Sequence, residues 1–317
     1  MTVSVIIAAY NCERIIARAV ESAVRQTEPP LEIIVADDAS TDGTNEALAA
    51  LCRKYECVRV VTLPVNGGPS KARNAAFRVA RGDWLAILDA DDEWRPNRLE
   101  VLTRMGEAKN ADLIADNIIL FDEVAGREGR TGFTWTDELR RISACDLFES
   151  GIQESSEFSY GLLKPLIRRR FVEDHDVYYD EAIRYAEDFD YYARLLLNGA
   201  ILWVTSNPLY VYTTKAGEFS KQENPFSKSV PRFDLVAANN ARLMEVYGHK
   251  MDAGFRQIVV RRGQRLMAIH RANYARQIRQ SGNLAAYALF VLRHPDLLSL
   301  LLWRTFRRLR RAFQSKR

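Results

Sequence analysis

The sequence predicts an α/β fold with a mostly parallel sheet, helices on both faces of the sheet and a helical C-terminal extension. The first observation is that four short apolar runs within residues 3–88 alternate with amphipathic stretches. Strands and helices that alternate in this way form parallel sheets with both faces covered. The second observation is that acidic or polar residues directly follow the first, second and fourth runs. Because ligands bind beyond the carboxyl ends of strands in such sheets, these residues predict a site at one edge.

The individual elements follow from the hydrophobic pattern and from the turn residues between the runs. Strands are predicted over residues 3–8, 31–36, 58–63, 84–88, 112–121 and 203–212. Helices are predicted over residues 12–26, 44–55, 71–81 and 189–197, and residues 135–138 look like the start of another helix. Asn11 is a suitable N-cap for the first helix, because its side chain can accept a hydrogen bond from an unpaired backbone N–H.

Composition restricts the class of protein. The chain has 317 residues, of which 47% are hydrophobic and 27% charged, as in a folded protein with one large domain or two smaller ones. No run of about eighteen apolar residues occurs, so we expect no membrane-spanning helix, and the N-terminal residues do not predict a signal peptide. The four cysteines lack metal-site spacing, which favours free thiols in a reducing compartment such as the cytoplasm.

The stretch over residues 84–92 is central to the predicted site. Its first five residues are apolar and predict a buried strand, and the sequence Asp-Ala-Asp-Asp follows directly. Two carboxylates together with substrate phosphate oxygens are a common way to hold Mg²⁺ or Mn²⁺. The pattern alone also fits a loop of solvated acids. Its place at the predicted sheet edge, beside Asp37 and Asp38, favours the metal site.

The missing phosphate-binding motifs narrow the class of ligand. No Gly-x-Gly-x-x-Gly follows the first strand, and no Gly-x-x-x-x-Gly-Lys-Ser/Thr occurs in the chain. A dinucleotide-dependent dehydrogenase and a P-loop NTPase are therefore disfavoured. The remaining side chains are acidic, namely Asp38 and the pair Asp89 and Asp91. They suit hydrogen bonds to a base and a ribose, together with a metal ion that neutralises a diphosphate.

Two further regions carry charge patterns of interest. Glu187 and Asp188 begin a predicted helix, where acids are also favoured simply by the helix dipole. From about Asp234 the chain is predicted to be helical, and residues 298–313 form a basic amphipathic helix. Such a helix can lie on an anionic membrane surface, or it can pack on the domain with a solvated basic face. Nucleic-acid binding is not expected, because the basic face lacks aromatic residues for stacking.

Four ordered motifs resemble those of the family 2 glycosyltransferases of GT-A fold, of the bacterial exopolysaccharide type. They are VIIAAYN at residues 5–11, IVADDASTDGT at 34–44, NGGPSKARN at 66–74 and LDADD at 88–92. The resemblance is close over residues 3–105 and looser to about residue 215, through AEDFD at 186–190. Two departures are Ala9, where the family commonly has proline, and Ala39, where glycine is common. Both mainly concern the rigidity of loops.

The resemblance implies a Rossmann-like catalytic domain that binds a nucleoside diphosphate sugar, with UDP as the favoured nucleotide. In the resembling family, Ala8 and Tyr10 would line the base pocket and Asp38 would hydrogen-bond the edge of the base. Arg73 would lie near the base or the diphosphate, and Asp89 near the ribose or the sugar. These five positions are the donor side of the expected site.

The resemblance also implies an inverting, metal-dependent transfer of sugar to a glycan or a lipid-linked saccharide. Asp91 would bind Mn²⁺ or Mg²⁺, Asp188 would be the catalytic base, and Glu187 would orient the acceptor or Asp188. No Gln-x-x-Arg-Trp follows Asp188, and in this family that motif marks processive synthases, so one sugar per encounter is expected. The enzyme would work in the cytoplasm, as a peripheral protein on the inner face of the cell membrane.

The expected domains follow from this resemblance and from the helical pattern of the C-terminal residues. Residues 1–225 would form the catalytic domain, with a nucleotide-sugar half over 1–105 and an acceptor half over 106–225. Residues 226–317 would form the helical C-terminal region with the basic amphipathic tail. Two other functions stay open: a nucleotidyltransferase, although no Gly-rich activating loop occurs near the N-terminus, and a catalytically silent binding module, which the intact acidic residues disfavour.

Overall fold

The computed structural model describes residues 1–150, 159–214, 232–295 and 297. Its contacts divide the chain into two compact units, Met1–Lys228 and Ser229–Arg317. The described strands all belong to the first unit, and they form one mixed sheet. The strands are β1 Val3–Ala9, β2 Glu32–Asp37, β3 Val58–Thr62, β4 Trp84–Ile87, β5 Glu93–Trp94, β6 Leu113–Asp122, β7 Arg127–Thr131, β8 Leu139–Ile142, β9 Leu166–Arg168 and β10 Leu202–Thr214.

Seven described helices belong to the first unit. They are α1 Ile16–Val24, α2 Thr44–Lys54, α3 Pro69–Val79, α4 Arg98–Ala108, α5 Ala144–Ser150, α6 Arg169–His175 and α7 Glu187–Leu197. Helix α7 confirms that the acidic pair lies in a first helical turn. Helix α1 has a narrow apolar face that includes the fully buried Ile16 and Val20, which pack into the main hydrophobic core with residues of β1 and β2. That face is the amphipathic pattern from which the helix was predicted.

The order of strands along the sheet is β3-β2-β1-β4-β9-β6-β10-β5, with β7 paired to β6 and β8 to β10. Strands β1 to β4 are mutually parallel where they pair, as predicted from the alternation of strands and helices. Strand β9 is antiparallel to both β4 and β6. The residues that precede β9 therefore lie at the same edge as the residues that follow β4, which is the edge where the acidic motif begins.

Two local predictions are wrong. Helix α1 begins at Ile16 rather than at Cys12, and Asn11 does not cap it. Asn11 instead adopts a left-handed backbone with φ +48°, and its side-chain oxygen accepts a hydrogen bond of 2.8 Å from the Thr41 N–H. Residues 135–138 are not helical but lead into β8. The Asn11 side chain is used in a contact between two loops instead of a helix cap. Residues 135–138 precede a strand, β8, that pairs with β10.

Ala39 has a left-handed backbone with φ +60°, which explains why glycine is common at this turn. We expect Ala39→Gly to raise the free energy of unfolding by up to about 1 kcal/mol. The left-handed conformation costs a residue with a Cβ about 1–2 kcal/mol, and glycine avoids this cost. Part of the gain is offset because glycine gives the unfolded chain more conformational entropy. Chemical denaturation measures the change. Ala49→Gly in the exposed part of α2 is the matched control and should lower stability by about 1 kcal/mol. Equal destabilisation by both changes would contradict the strain at Ala39.

The second unit is helical in its described part, as predicted from Asp234 onwards. Its helices are α8 Phe233–Tyr247, α9 Ala253–Gln280 and α10 Leu284–Arg293. The side chain of Asn283 caps α10 by accepting a hydrogen bond from the Ala286 N–H, which confirms that prediction. The predicted amphipathic helix over residues 298–313 lies outside the described residues. Within the described part, no helix is both long and apolar enough to cross a membrane.

Candidate active site

Three carboxylates meet at the end of β4. Oxygens of Asp89, Asp91 and Asp92 all lie within 4.8 Å of one another. Asp92 is the innermost: its carboxylate accepts hydrogen bonds from the Tyr210 hydroxyl at 2.7 Å and from the Thr213 N–H at 2.8 Å. Strand β10 therefore holds residues 89–92, the acidic loop, in place through these two hydrogen bonds. Burial and the charges of the two neighbouring carboxylates raise the pKa of Asp92 well above its usual value.

Asp91 differs from its two neighbours in its partners. Among the described residues, no side chain donates a hydrogen bond to its carboxylate, whereas its backbone oxygen accepts from the Thr213 hydroxyl at 2.6 Å and from the guanidinium of Arg18. Burial and the charge of Asp89 raise the pKa of Asp91 to about 6. A half-buried carboxylate that lies beside other carboxylates and takes no side-chain donor is a suitable ligand for a divalent cation. The residues present therefore fit a Mn²⁺ or Mg²⁺ ion.

Arg73 lies on α3 and joins the acidic loop to the first turn of α7. Its guanidinium donates to Asp89 at 2.8 Å, to Glu187 at 3.1 Å and to Asp188 at 3.2 Å. The side chain is almost fully buried. A buried cation of this kind needs several paired anions, and here it receives three. The structure thus brings together four of the residues that the sequence predicted, although Arg73 is 114 positions from Glu187 and 115 from Asp188.

Lys164, which directly precedes Pro165 and β9, is a member of this cluster that the sequence did not predict. Its Nζ lies 2.6 Å from a carboxylate oxygen of Asp89 and 2.6 Å from one of Asp188. Burial alone would raise the pKa of Asp89, but the charges of Lys164 and Arg73 lower it to about 2. The signal in the sequence was an isolated lysine within the apolar stretch over residues 161–167, since a charge in such a stretch needs a buried partner.

The two acids of α7 have different surroundings. Asp188 accepts from Lys164, Arg73 and the Tyr179 hydroxyl, the last at 2.8 Å, and its side chain is 11% exposed. The Glu187 side chain is 18% exposed, and burial together with the charge of Asp188 raises its pKa. Tyr179 is a second residue that the sequence did not predict. Both acids pair with the guanidinium of Arg73, and Asp188 also pairs with Lys164, so the first turn of α7 shares its cations with Asp89.

Asp38 lies at the end of β2 and fastens the loop before α3. One of its oxygens accepts from the Gly67 N–H and the other from the Gly68 N–H, each at 2.7 Å. Burial raises its pKa in spite of these two donors. Each oxygen has a second lone pair, so the carboxylate can still accept from a ligand. Gly68 has φ +84°, a conformation that a residue with a Cβ would adopt only with strain.

Ala8 and Tyr10 lie at the end of β1 and are half-buried. Ala8 is level with Ala36 of β2, and the next residue, Ala9, accepts a hydrogen bond of 2.8 Å from the Asp38 N–H. The ends of β1 and β2 therefore present these three predicted residues side by side. The predicted donor side and the cluster around Arg73 share one edge of the sheet, because β4 pairs directly with β1.

Comparisons with known proteins identify the family and the fold. Residues 4–154 match the sequence model of Glycosyl transferase family 2. The succinoglycan biosynthesis protein ExoO of Rhizobium meliloti (strain 1021) is 36% identical over 69% of this chain and 62% of its own length. The protein ExoU of the same strain is 37% identical over 62% of this chain and 58% of its own. The chain thus spans about three fifths of the length of these curated relatives.

Among solved structures, Staphylococcus aureus TarS 1–349 in complex with UDP-GlcNAc has a TM-score of 0.61 and 22% identity, over 77% of this chain and 67% of that one. At this identity the likeness concerns the fold, which confirms the GT-A architecture expected from the sequence. The matched residues contain all four motifs quoted above, and the two succinoglycan proteins extend the likeness beyond them. Residues 4–154 of the chain therefore form a domain of glycosyl transferase family 2.

Proposed function

We propose that the protein transfers a single sugar from a nucleoside diphosphate sugar to a glycan or lipid-linked acceptor, with inversion and with Mn²⁺ or Mg²⁺. The observation that carries the proposal is the ion-paired cluster in which Asp188 lies across Lys164 and Arg73 from Asp89. A carboxylate that could accept a proton from the acceptor and three carboxylates that could hold a metal ion thus occupy one edge of the sheet. Neither the nucleotidyltransferase nor the silent module needs both.

On the donor side, Asp91 would hold the divalent cation, and Asp89 would approach the ribose or the sugar. The cation supplies positive charge that stabilises the leaving diphosphate. Asp38, Ala8 and Tyr10 would form the base pocket, where the free lone pairs of Asp38 suit an N–H donor of the base. A uracil base offers such a donor, and the TarS structure with UDP-GlcNAc supports UDP as the nucleotide.

On the acceptor side, Asp188 would take the proton of the attacking hydroxyl group. The hydroxyl oxygen forms a bond to the anomeric carbon while the bond from that carbon to the diphosphate oxygen breaks on the opposite face. The electron pair of the broken bond leaves with the diphosphate, so the configuration inverts. Glu187, which is the more exposed of the two acids, would orient the acceptor. The half over residues 106–225 would provide the acceptor site, and the half over 1–105 the donor site.

The likeness to two succinoglycan biosynthesis proteins supports polysaccharide synthesis as the setting. The proposal is tested by incubating the purified protein with UDP-glucose, UDP-galactose or UDP-GlcNAc and measuring the release of UDP. We expect release from at least one of the three with Mn²⁺ or Mg²⁺ present, and none with EDTA. Equal release with and without a divalent cation, or none from any nucleotide sugar tested with either cation, would contradict the proposal.

We also propose that the C-terminal unit contacts an anionic membrane surface. Eight arginines and no acidic residue occur over residues 253–295. Helix α10 has no buried residue, and its Leu284, Leu289 and Leu292 are each more than half exposed. Exposed leucines beside arginines suit the boundary between lipid headgroups and acyl chains, where each nearby cation adds about 1 kcal/mol. The tail over 298–313, outside the described residues, continues this basic pattern in the sequence.

Sedimentation with lipid vesicles measures this contact. We expect binding to vesicles that contain phosphatidylglycerol and little binding to pure phosphatidylcholine. The double variant Leu289→Asp/Leu292→Asp should weaken binding about tenfold or more, because two carboxylates would enter the apolar and anionic boundary. Leu235→Asp on α8, also at an exposed leucine, is the matched control and should bind like the parent protein. Equal binding to both kinds of vesicle, or to none, would contradict the proposal.

A further inference from the structure

Lys164 is held in place by a buried scaffold as well as by its ion pairs. Its backbone oxygen accepts a hydrogen bond of 2.5 Å from Arg98, and Arg98 in turn forms a fully buried ion pair of 2.7 Å with Asp116. The next strand, β9, pairs with β4 so that Leu166 is level with Ala86. The backbone around Lys164 is thereby fixed beside the start of the acidic loop, and its side chain is 4% exposed.

The two cations of the cluster contact different oxygens of the same two carboxylates. Arg73 contacts Oδ1 of Asp89 at 2.8 Å and Oδ1 of Asp188 at 3.2 Å. Lys164 contacts Oδ2 of each, both at 2.6 Å. Each carboxylate is consequently held at both of its oxygens, which prevents rotation about the last side-chain bond. Without Lys164, both Oδ2 atoms would lose their cation and the two carboxylates would be free to turn or to repel each other.

We propose that Lys164 is a positioning residue of the transfer reaction: its ammonium group sets the orientation of the base Asp188 and its distance from Asp89 on the donor side. The inference rests on the proposed function, since it needs Asp188 to act as the base. A reacting pair of groups that is displaced by about 1 Å can lose about a hundredfold in rate. Arg73 keeps one oxygen of each carboxylate, so the site without Lys164 is loosened rather than lost.

Kinetic constants, donor affinity and chemical rescue together separate a positioning role from a structural role and from contact with the nucleotide. A residue that only supports the fold would change stability and donor binding together with the rate. A residue that contacts the nucleotide would change the donor affinity first. A positioning residue for the base should lower kcat while the KM for the donor and the affinity for UDP change little, and a small cation placed in the same cavity should restore the rate.

The test compares Lys164→Met, Lys164→Arg and the parent protein in UDP release from the nucleotide sugar that the parent turns over. We expect Lys164→Met to lower kcat about a hundredfold, with the donor KM within about threefold of the parent. Lys164→Arg, which keeps the charge, should recover part of the rate. Lys109→Met, which removes an exposed lysine stacked on Trp203, is the matched control and should retain the parental rate. Thermal unfolding and UDP titration show whether each variant is folded and binds the donor.

Chemical rescue decides between positioning and support. Lys164→Ala leaves space for a small amine, and millimolar methylammonium is expected to raise its kcat at least tenfold, while tetramethylammonium, which cannot donate a hydrogen bond, is not. Normal kcat in Lys164→Met, or a defect confined to KM, would overturn the inference. So would a kcat defect in Lys164→Ala that methylammonium leaves unchanged. A parent protein that releases no UDP would instead contradict the proposed function, so the two failures are distinguishable.

Discussion

Asp91→Ala is expected to abolish the metal-dependent part of UDP binding, at least a hundredfold in affinity. Asp91 is the carboxylate of the triad that takes no side-chain donor among the described residues, and Asp89 and Asp92 have other partners. Asp91 would be a protein ligand of the divalent cation, and the cation would supply positive charge to the diphosphate, so loss of this carboxylate should remove much of the metal-dependent binding. Because burial and Asp89 raise the pKa of Asp91 to about 6, the carboxyl group is protonated below that pH, and metal affinity should fall as pH drops below about 6.

Calorimetric titration of UDP with and without Mn²⁺ measures this effect. Asp174→Ala is the matched control, because Asp174 is an exposed acid whose ion pair among the described residues is with Arg170 in the same helix, α6. The control should bind UDP like the parent protein in both conditions. Unchanged UDP affinity of Asp91→Ala in Mn²⁺ would show that the metal ion lies elsewhere or is not needed.

Asp188→Asn is expected to lower the transfer rate by about 10²–10⁴-fold while UDP binding is retained, which is the usual range for the loss of a general base. An amide has nearly the shape of the carboxylate but cannot accept the proton of the acceptor hydroxyl. Lys164 and Tyr179 donate to different oxygens of Asp188, and an amide has only one oxygen to accept with, so some loss of order at the site accompanies the change. Turnover with a fixed donor, together with a UDP titration, separates the chemical step from binding.

Glu187→Gln provides the comparison for this second prediction. If Glu187 only orients the acceptor, its amide variant should retain more activity than Asp188→Asn. The raised pKa and greater exposure of Glu187 make it the alternative base. Near-parental turnover of Asp188→Asn combined with a larger loss in Glu187→Gln would therefore move the role of base to Glu187.

The sequence was sufficient for the parallel half of the sheet, because its strands are continuous apolar runs and each ends in a turn or a charged residue. Residues 84–88 show this most clearly, since the strand and the carboxylates that follow it occur in one short stretch. The same local patterns placed Glu187 and Asp188 in the first turn of α7. These predictions depended on near neighbours in the chain, which is where hydrophobic periodicity is informative.

The parts that escaped prediction depend on distant contacts. Lys164 and Tyr179 carry no motif of their own. Lys164 joins the site because β9 runs antiparallel to β4, and Tyr179 because its backbone oxygen accepts a hydrogen bond from Asn74 of α3. Strands β7 and β8 are short and mostly exposed, so their residues show no clear alternation. Strands β7 and β8 were therefore the least predictable described elements of the acceptor half.

The proposed function requires this edge of the sheet to bind a nucleoside diphosphate together with a divalent cation. Calorimetric titration of UDP, GDP and CDP into the purified chain, each with and without Mn²⁺, tests it most directly. We predict tight binding of UDP with Mn²⁺, weak binding of UDP without it, and weak binding of the other two nucleotides. No binding of any nucleotide in the presence of Mn²⁺ would contradict the account and favour a catalytically silent binding module.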